Sequence, residues 1–305
     1  MINTQMTSQN LSESTPHERR DPFSGLYSCT KETLVSGDLS DVQFSVGGDF
    51  GAARVFKAHK YIVSIRSPVF YRMFYGSVPE KGPQVDIPDC IPDAFANMLS
   101  CMYTDAVDKD NLTMDNVFPT IRCADKYDLP QLTAICSDFV AAQLNAQNCI
   151  AILEQAVQWQ ADHVVEECLQ LVEMETDLIL RSESFTTITH DILKMILQRR
   201  VLSAEENVVY MAVDRWAVEA CKRNGLEPSG GNCRQVLSDA LFLVRFPLLS
   251  GPQLATGPGK NGLLLDSELL SIFMHQNGAV QPDLPFPTER RRGAVSHTYQ
   301  PVFEL

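Results

Sequence analysis

A chain of 305 residues with 45% hydrophobic and 21% charged residues has the composition of a globular protein and room for two ordinary domains. Its formal charge of -13 excludes binding nucleic acid through a phosphate-neutralising face, which needs clustered lysine and arginine, and the single basic run Arg290 to Arg292 is too short to reverse this. No stretch approaches the roughly 20 apolar residues of a membrane helix, and the first residues lack an apolar signal core, which points to a cytoplasmic protein.

Residues 1 to 21 are polar and read as a disordered tail. Asp21-Pro22 opens a helix carrying Phe23, Leu26, Tyr27 and Leu34, closed near Gly37. Residues 41 to 47 alternate as a strand does, and Gly47-Gly48 turns the chain into a second strand ending near Ala58. Tyr61 to Ile65 form a short helix. Ser67-Pro68 then supplies a cap and an opening proline for another, with Val69, Phe70, Met73 and Phe74 at helical spacing. Gln84 to Ile87 is a third strand, and Pro92 to Thr104 a helix with Phe95, Leu99 and Met102 on one face. Thr113 is expected to cap a helix reaching Tyr127, with a kink or one missing backbone bond at Pro119.

From Leu129 onward strand signals vanish. Helices are expected over 130–144, 148–160, 163–180 and 191–199, then from a capping box at Ser203 and Glu206. After a Pro/Gly/Ser loop at 226–231, helices follow over 232–244 and 266–276, separated by a Gly/Pro-rich link at 251–262. The stripes Ile150, Leu153, Val157 and Val209, Val213, Trp216 read as core. The organisation is thus an α+β domain over 22–140, an all-helical domain over 141–280 and a linker over 281–305.

Chemistry is harder to find. The nine cysteines lack C-x-x-C or zinc-ligand spacing and sit among apolar neighbours, so they read as reduced, structural thiols with no metal. His17, His59, His163, His190, His275 and His297 are scattered, none in a metalloprotease or nucleophile-elbow setting. His59 reads as a lock on the strand-to-helix turn. Glu166-Glu167 and Glu205-Glu206 are neighbours on a helix and point to different faces, and Gly47-Gly48 and Gly230-Gly231 lack phosphate-loop spacing. The chain reads as non-enzymatic, without a cofactor.

What the residues do carry is a pattern. Asp41-Val42-Gln43-Phe44-Ser45-Val46, then Phe56-Lys57-Ala58-His59-Lys60, Ser67 to Phe70, Val85 to Asp89, Met102-Tyr103-Thr104 and Ala124 to Leu129 resemble, in this order, the BTB (POZ) domain. Leu180 to Phe185, Glu205 to Trp216 and Leu243 to Pro247 are similar to the BACK domain that follows BTB domains. Gly262-Leu263-Leu264, Ile272-Phe273, Pro285-Phe286-Pro287 and Ser296 to Gln300 look like the junction before a PHR domain, so the chain is expected to stop before or at the start of one.

The resemblance implies a homodimeric adaptor for a cullin-3 ubiquitin ligase, acting by protein binding on a substrate that is unknown. Val78-Pro79-Glu80 is similar to the hydrophobic-x-glutamate element with which such adaptors hold cullin-3, although valine stands where leucine or methionine is expected. Phe74 and Tyr103 are implied to border that surface. Phe23, Leu26, Tyr27 and Leu34 are implied to form the dimer face, with Asp41 and Lys60 a buried charged pair beside it. The rival reading is a BTB dimerisation scaffold that recruits transcriptional or other partners without cullin.

Overall fold

Alternation of Val42, Phe44 and Val46 with polar residues makes β1, Val42–Val46, the middle strand of a three-stranded sheet in this computed structural model, which describes residues 25–108, 110–278 and 284–293. On one side β1 pairs antiparallel with β2, Arg54–Ala58, and Phe44 lies opposite Phe56. On the other it runs parallel to β3, Gln84–Ile87, and Phe44 lies opposite Val85. Phe44 is fully buried, its ring centroid 5.3 Å from those of Phe70 and Phe95. Tyr127 stacks on Phe70 at 4.4 Å, so this aromatic cluster is the hub of the first unit.

Helices surround the sheet. α1, Leu26–Ser36, stops at Gly37, whose φ of 68° is left-handed and whose N–H bonds to the Thr33 carbonyl. α2, Lys60–Arg66, and α3, Pro68–Tyr75, are separated by Ser67. The Ser67 hydroxyl accepts the Phe70 N–H at 3.2 Å and donates to the Tyr127 carbonyl at 2.6 Å, joining this cap to the far end of the core. α4, Pro92–Thr104, packs on α5, Val117–Lys126, and on α1. The boundary between two compact units falls at Cys136, inside α6, Pro130–Ala141.

The second unit is helical: α7, Cys149–Trp159; α8, Asp162–Met174; α9, Thr176–Arg181; α10, His190–Gln198; α11, Glu206–Arg223; α12, Gly230–Leu237; α13, Gly251–Thr256; and α14, Asp266–Gln276. α7 packs on α8, and α11 carries Val209, Val213 and Trp216 into the core. The Trp216 indole N–H reaches the Ile188 carbonyl at 2.9 Å. An α+β unit is therefore followed by an all-α one, as the residue pattern implies.

Several local expectations are corrected. α5 begins at Val117, so Pro119 occupies its first turn, where a missing N–H leaves no bond unmade and no kink is required. Helix 163–180 is interrupted at Glu175, and Gly230-Gly231 start α12 behind a Ser229 cap instead of lying in a loop. Ser203 and Glu206 form no capping box. The Ser203 hydroxyl donates to the Glu173 carbonyl at 2.8 Å, and α11 starts at Glu206 itself.

The stretch expected as a linker also differs: residues 284–293 are packed onto the second unit. Phe286 is buried, 5.0 Å from the Phe246 ring and 5.7 Å from the Phe242 ring. The Arg292 N–H bonds to the Arg200 carbonyl at 2.8 Å, and the Leu202 N–H returns to the Arg292 carbonyl at 3.1 Å. Arg291, from the basic run, is 4% exposed and pairs with Glu206 at 3.0 Å. The polar tail at 1–21, Phe23, and the junction residues Ser296 to Gln300 lie outside the described residues.

Candidate protein-binding surface

His59 sits where β2 gives way to α2, and both ring nitrogens are occupied. Nε2 is 2.7 Å from the Asp38 carbonyl and Nδ1 is 2.7 Å from the Tyr103 hydroxyl. A carbonyl can only accept, so the network assigns the ring proton to Nε2 and leaves Nδ1 to accept from Tyr103. The same hydroxyl accepts the His59 backbone N–H at 2.9 Å. Burial pushes the Tyr103 phenol up to about 12, so it stays a protonated donor. This closed triangle fixes the turn. Phe74 and Tyr103, 6% and 5% exposed, pack inside the unit beneath the outer face of α3.

The outward face of α3 belongs to their neighbours. Tyr71 and Tyr75, one turn apart, are 55% and 53% exposed with ring centroids 5.9 Å apart, while Phe70 and Phe74 turn inward. Helical spacing within Phe70-Tyr71-Arg72-Met73-Phe74-Tyr75 contains this signal: Phe70 and Phe74 mark the inward half, Tyr71 and Tyr75 the outward one. α3 then ends at Gly76. A Cβ there would lie 2.3 Å from the Arg72 carbonyl oxygen, so only glycine lets the chain turn off this tightly. Val78 follows at 89% exposure, with Glu80 also exposed and Pro79 half-buried. The Glu80 N–H bonds to the Met73 carbonyl at 2.8 Å, tying the loop to the last turn of α3. An apolar side chain, a carboxylate and two tyrosines thus face solvent from one short helix and its fastened loop.

α1 presents the second surface. None of its residues is buried; Leu26, Tyr27 and Val35 are exposed and Leu34 is half-buried. The helix is held through Thr30, whose hydroxyl lies 2.7 Å from the Tyr103 carbonyl. Val35 and, just beyond the helix, Leu39 at 71% exposure add apolar positions to those expected from the sequence. Asp41 and Lys60 do not form an ion pair in the chain. The exposed Asp41 carboxylate accepts the Lys60 backbone N–H at 2.7 Å, capping α2, while the Lys60 ammonium lies 5.3 Å over the Phe74 ring. Carboxylate and ammonium serve the same turn from different sides.

The paired glutamates separate as well. Glu166 is held below the usual carboxylate range by its hydrogen bond from Arg199 at 2.9 Å, whereas burial raises its neighbour Glu167. Among the described residues, no group of three or more His, Cys, Asp or Glu is placed to hold a metal ion, and no helix is long and apolar enough to cross a membrane.

Residues 30–144 match the family described as BTB/POZ domain, and residues 149–256 match the family described as BTB And C-terminal Kelch, or BACK. Over 255 residues the chain is 37% identical to BTB/POZ domain-containing protein 6 of Mus musculus and of Homo sapiens, covering 84% of this chain and 47% of each relative. Over 277 residues it is 35% identical to BTB/POZ domain-containing protein 3 of Homo sapiens, covering 90% of this chain and 52% of the relative. The chain spans about half the length of the curated relatives it matches.

Proposed function

Because the chain belongs to the family that joins a BTB/POZ domain to a BACK domain, we propose that it is a cytoplasmic, homodimeric substrate adaptor of a cullin-3 ubiquitin ligase. Proteins of this family are protein–protein interaction scaffolds, their BTB domains generally mediate dimerisation and cullin-3 binding, and neither matched family is one of enzymes. The adaptor speeds no bond-breaking step. It raises the effective concentration of a bound substrate near the ubiquitin that the ligase carries.

The observation that supports this reading best is Val78, 89% exposed on a loop fastened to α3. A large apolar group left in water on an otherwise ordered turn suits a partner's pocket, and Glu80 two residues on can accept hydrogen bonds from a helix N-terminus. Tyr71 and Tyr75 would supply the aromatic part of the contact. Phe74 and Tyr103 would act indirectly, by holding α3 and the turn beneath it.

Capture of the purified chain by immobilised cullin-3 amino-terminal domain tests the proposal. Val78→Arg with Glu80→Lys should weaken binding about 30-fold or more, the effect of losing a hot spot worth 2 kcal/mol. The melting temperature should hold, since both side chains are exposed. A wild-type chain that dimerises but ignores cullin-3 would instead favour the scaffold that recruits other partners.

A further inference from the structure

Cys90 lies on the connection between β3 and α4, and Cys123 on α5, 33 residues apart in sequence. Their sulfur atoms are 2.7 Å apart, within about 0.7 Å of an S–S bond, which is about 2.05 Å long. The other cysteine neighbours are looser: Cys221 and Cys233 sulfurs are 3.9 Å apart, and the Cys149 thiol points at the Cys168 carbonyl at 3.4 Å. A second contact holds the same connection to the same helix. Asp89 and Lys126, each next to or one turn from a cysteine of the pair, form an ion pair at 2.6 Å. Met98 adds a third sulfur 3.7 Å from Cys123, yet the site does not suit a metal. Two thiolates on one tetrahedral ion with bonds of about 2.3 Å stand about 3.8 Å apart, so an ion would have to prise this pair open.

We propose that Cys90 and Cys123 are a modification site at which hydrogen peroxide closes an intramolecular disulfide between the β3–α4 connection and α5. The pair is 5% and 2% exposed, which favours a water-sized oxidant over a bulky disulfide donor. Cys90 is the more exposed sulfur-bearing residue of the two, so it meets the oxidant first, while the hydrogen bond with Cys90 and burial raise the Cys123 thiol. Its sulfur takes one peroxide oxygen, the O–O bond breaks and water leaves, giving a sulfenic acid. The Cys123 sulfur then displaces that oxygen as a second water, which carries off the thiol proton. Two electrons pass from the two sulfurs to one peroxide.

The full chain, reduced and then freed of reductant, is treated with hydrogen peroxide; remaining thiols are alkylated in denaturant and the digest is read by mass spectrometry. The expected product is one Cys90–Cys123 linked peptide pair, 2 Da lighter than its thiols and reversed by dithiothreitol. It should bring a rise in melting temperature that the Cys90→Ala variant, folded by circular dichroism, does not show. Oxidation of Met174, 67% exposed, reports that peroxide was delivered. If Met174 is oxidised while Cys90 and Cys123 are recovered as alkylated thiols, as sulfinic acids or in links to other cysteines, the proposal is overturned.

Discussion

The Tyr103 hydroxyl donates to His59 Nδ1 and accepts from the His59 backbone, so removing one oxygen disconnects two groups at once. Tyr103→Phe should lower stability by about 1–3 kcal/mol, the cost of leaving a buried polar group unmet, measured as a shift in urea midpoint. Cullin capture by the fraction that stays folded should change little, which separates a positioning role from direct contact. Asp214 offers a test of opposite sign. Burial raises its pKa above the ordinary 3.8, although Asn261 donates to it at 2.9 Å. A folded-state pKa above the unfolded one means that its contribution to stability is complete below 3.8 and is lost as pH rises through the raised value. Asp214→Asn keeps an acceptor for Asn261 and has no charge to bury. The variant should therefore show a flatter stability profile from pH 4 to 7 than wild type, and equal or greater stability at pH 7, by urea midpoints taken across that range.

At the scale of elements, the ends of helices separate what could be read from what could not. α4 and α14 were legible to the residue because proline or acidic starts and apolar stripes agree, and the Ser67-Pro68 break was legible because cap and proline act locally. The same local logic failed at Glu206. Three residues after Ser203 it imitates a capping box, but its carboxylate is drawn to Arg291, 85 residues away, and to the Arg245 N–H at 3.0 Å. No spacing rule sees a partner that distant. At Phe74 the spacing gave the inward face of α3, and the outward one fell to Tyr71 and Tyr75. The strap at 284–293 was misread because prolines and three arginines resemble a linker in composition, while one buried aromatic and one buried guanidinium fix it. Arg291 also donates to the carbonyls of Leu197, Arg199 and Leu243, so Arg291→Ala leaves the Glu206 charge without its cationic partner and takes a donor from three backbone acceptors. The expected loss is about 3–5 kcal/mol, read from thermal or denaturant melts. Replacing Arg291 and Glu206 jointly by methionine should recover much of it, since the uncompensated charge is then gone.

For the whole molecule, α1 presents an unusual inventory. It has no buried residue, yet it is ordered along eleven residues, capped at Gly37 and pinned to Tyr103 through Thr30. Leu26 at 81% and Val35 at 82% exposure stand in water on a helix whose anchoring does not use them. Apolar groups left out on a rigid helix are what a self-complementary, two-fold interface would cover, and such an interface needs about 800 Å² from each partner. Tyr27 on the same helix and Leu39 just beyond it are exposed apolar positions as well. Light scattering should therefore return twice the 34.0 kDa chain mass at micromolar concentration. Leu26→Asp with Val35→Asp should return the single mass. Because neither side chain is buried, circular dichroism and melting should show the variant's unit still folded, so that loss of the dimer is separable from loss of the fold. Cullin capture then distinguishes the two surfaces: the monomeric variant should bind one cullin fragment per chain with nearly unchanged affinity for an isolated fragment. A monomeric wild-type chain would remove the dimer from the proposed adaptor and leave α1 without its role.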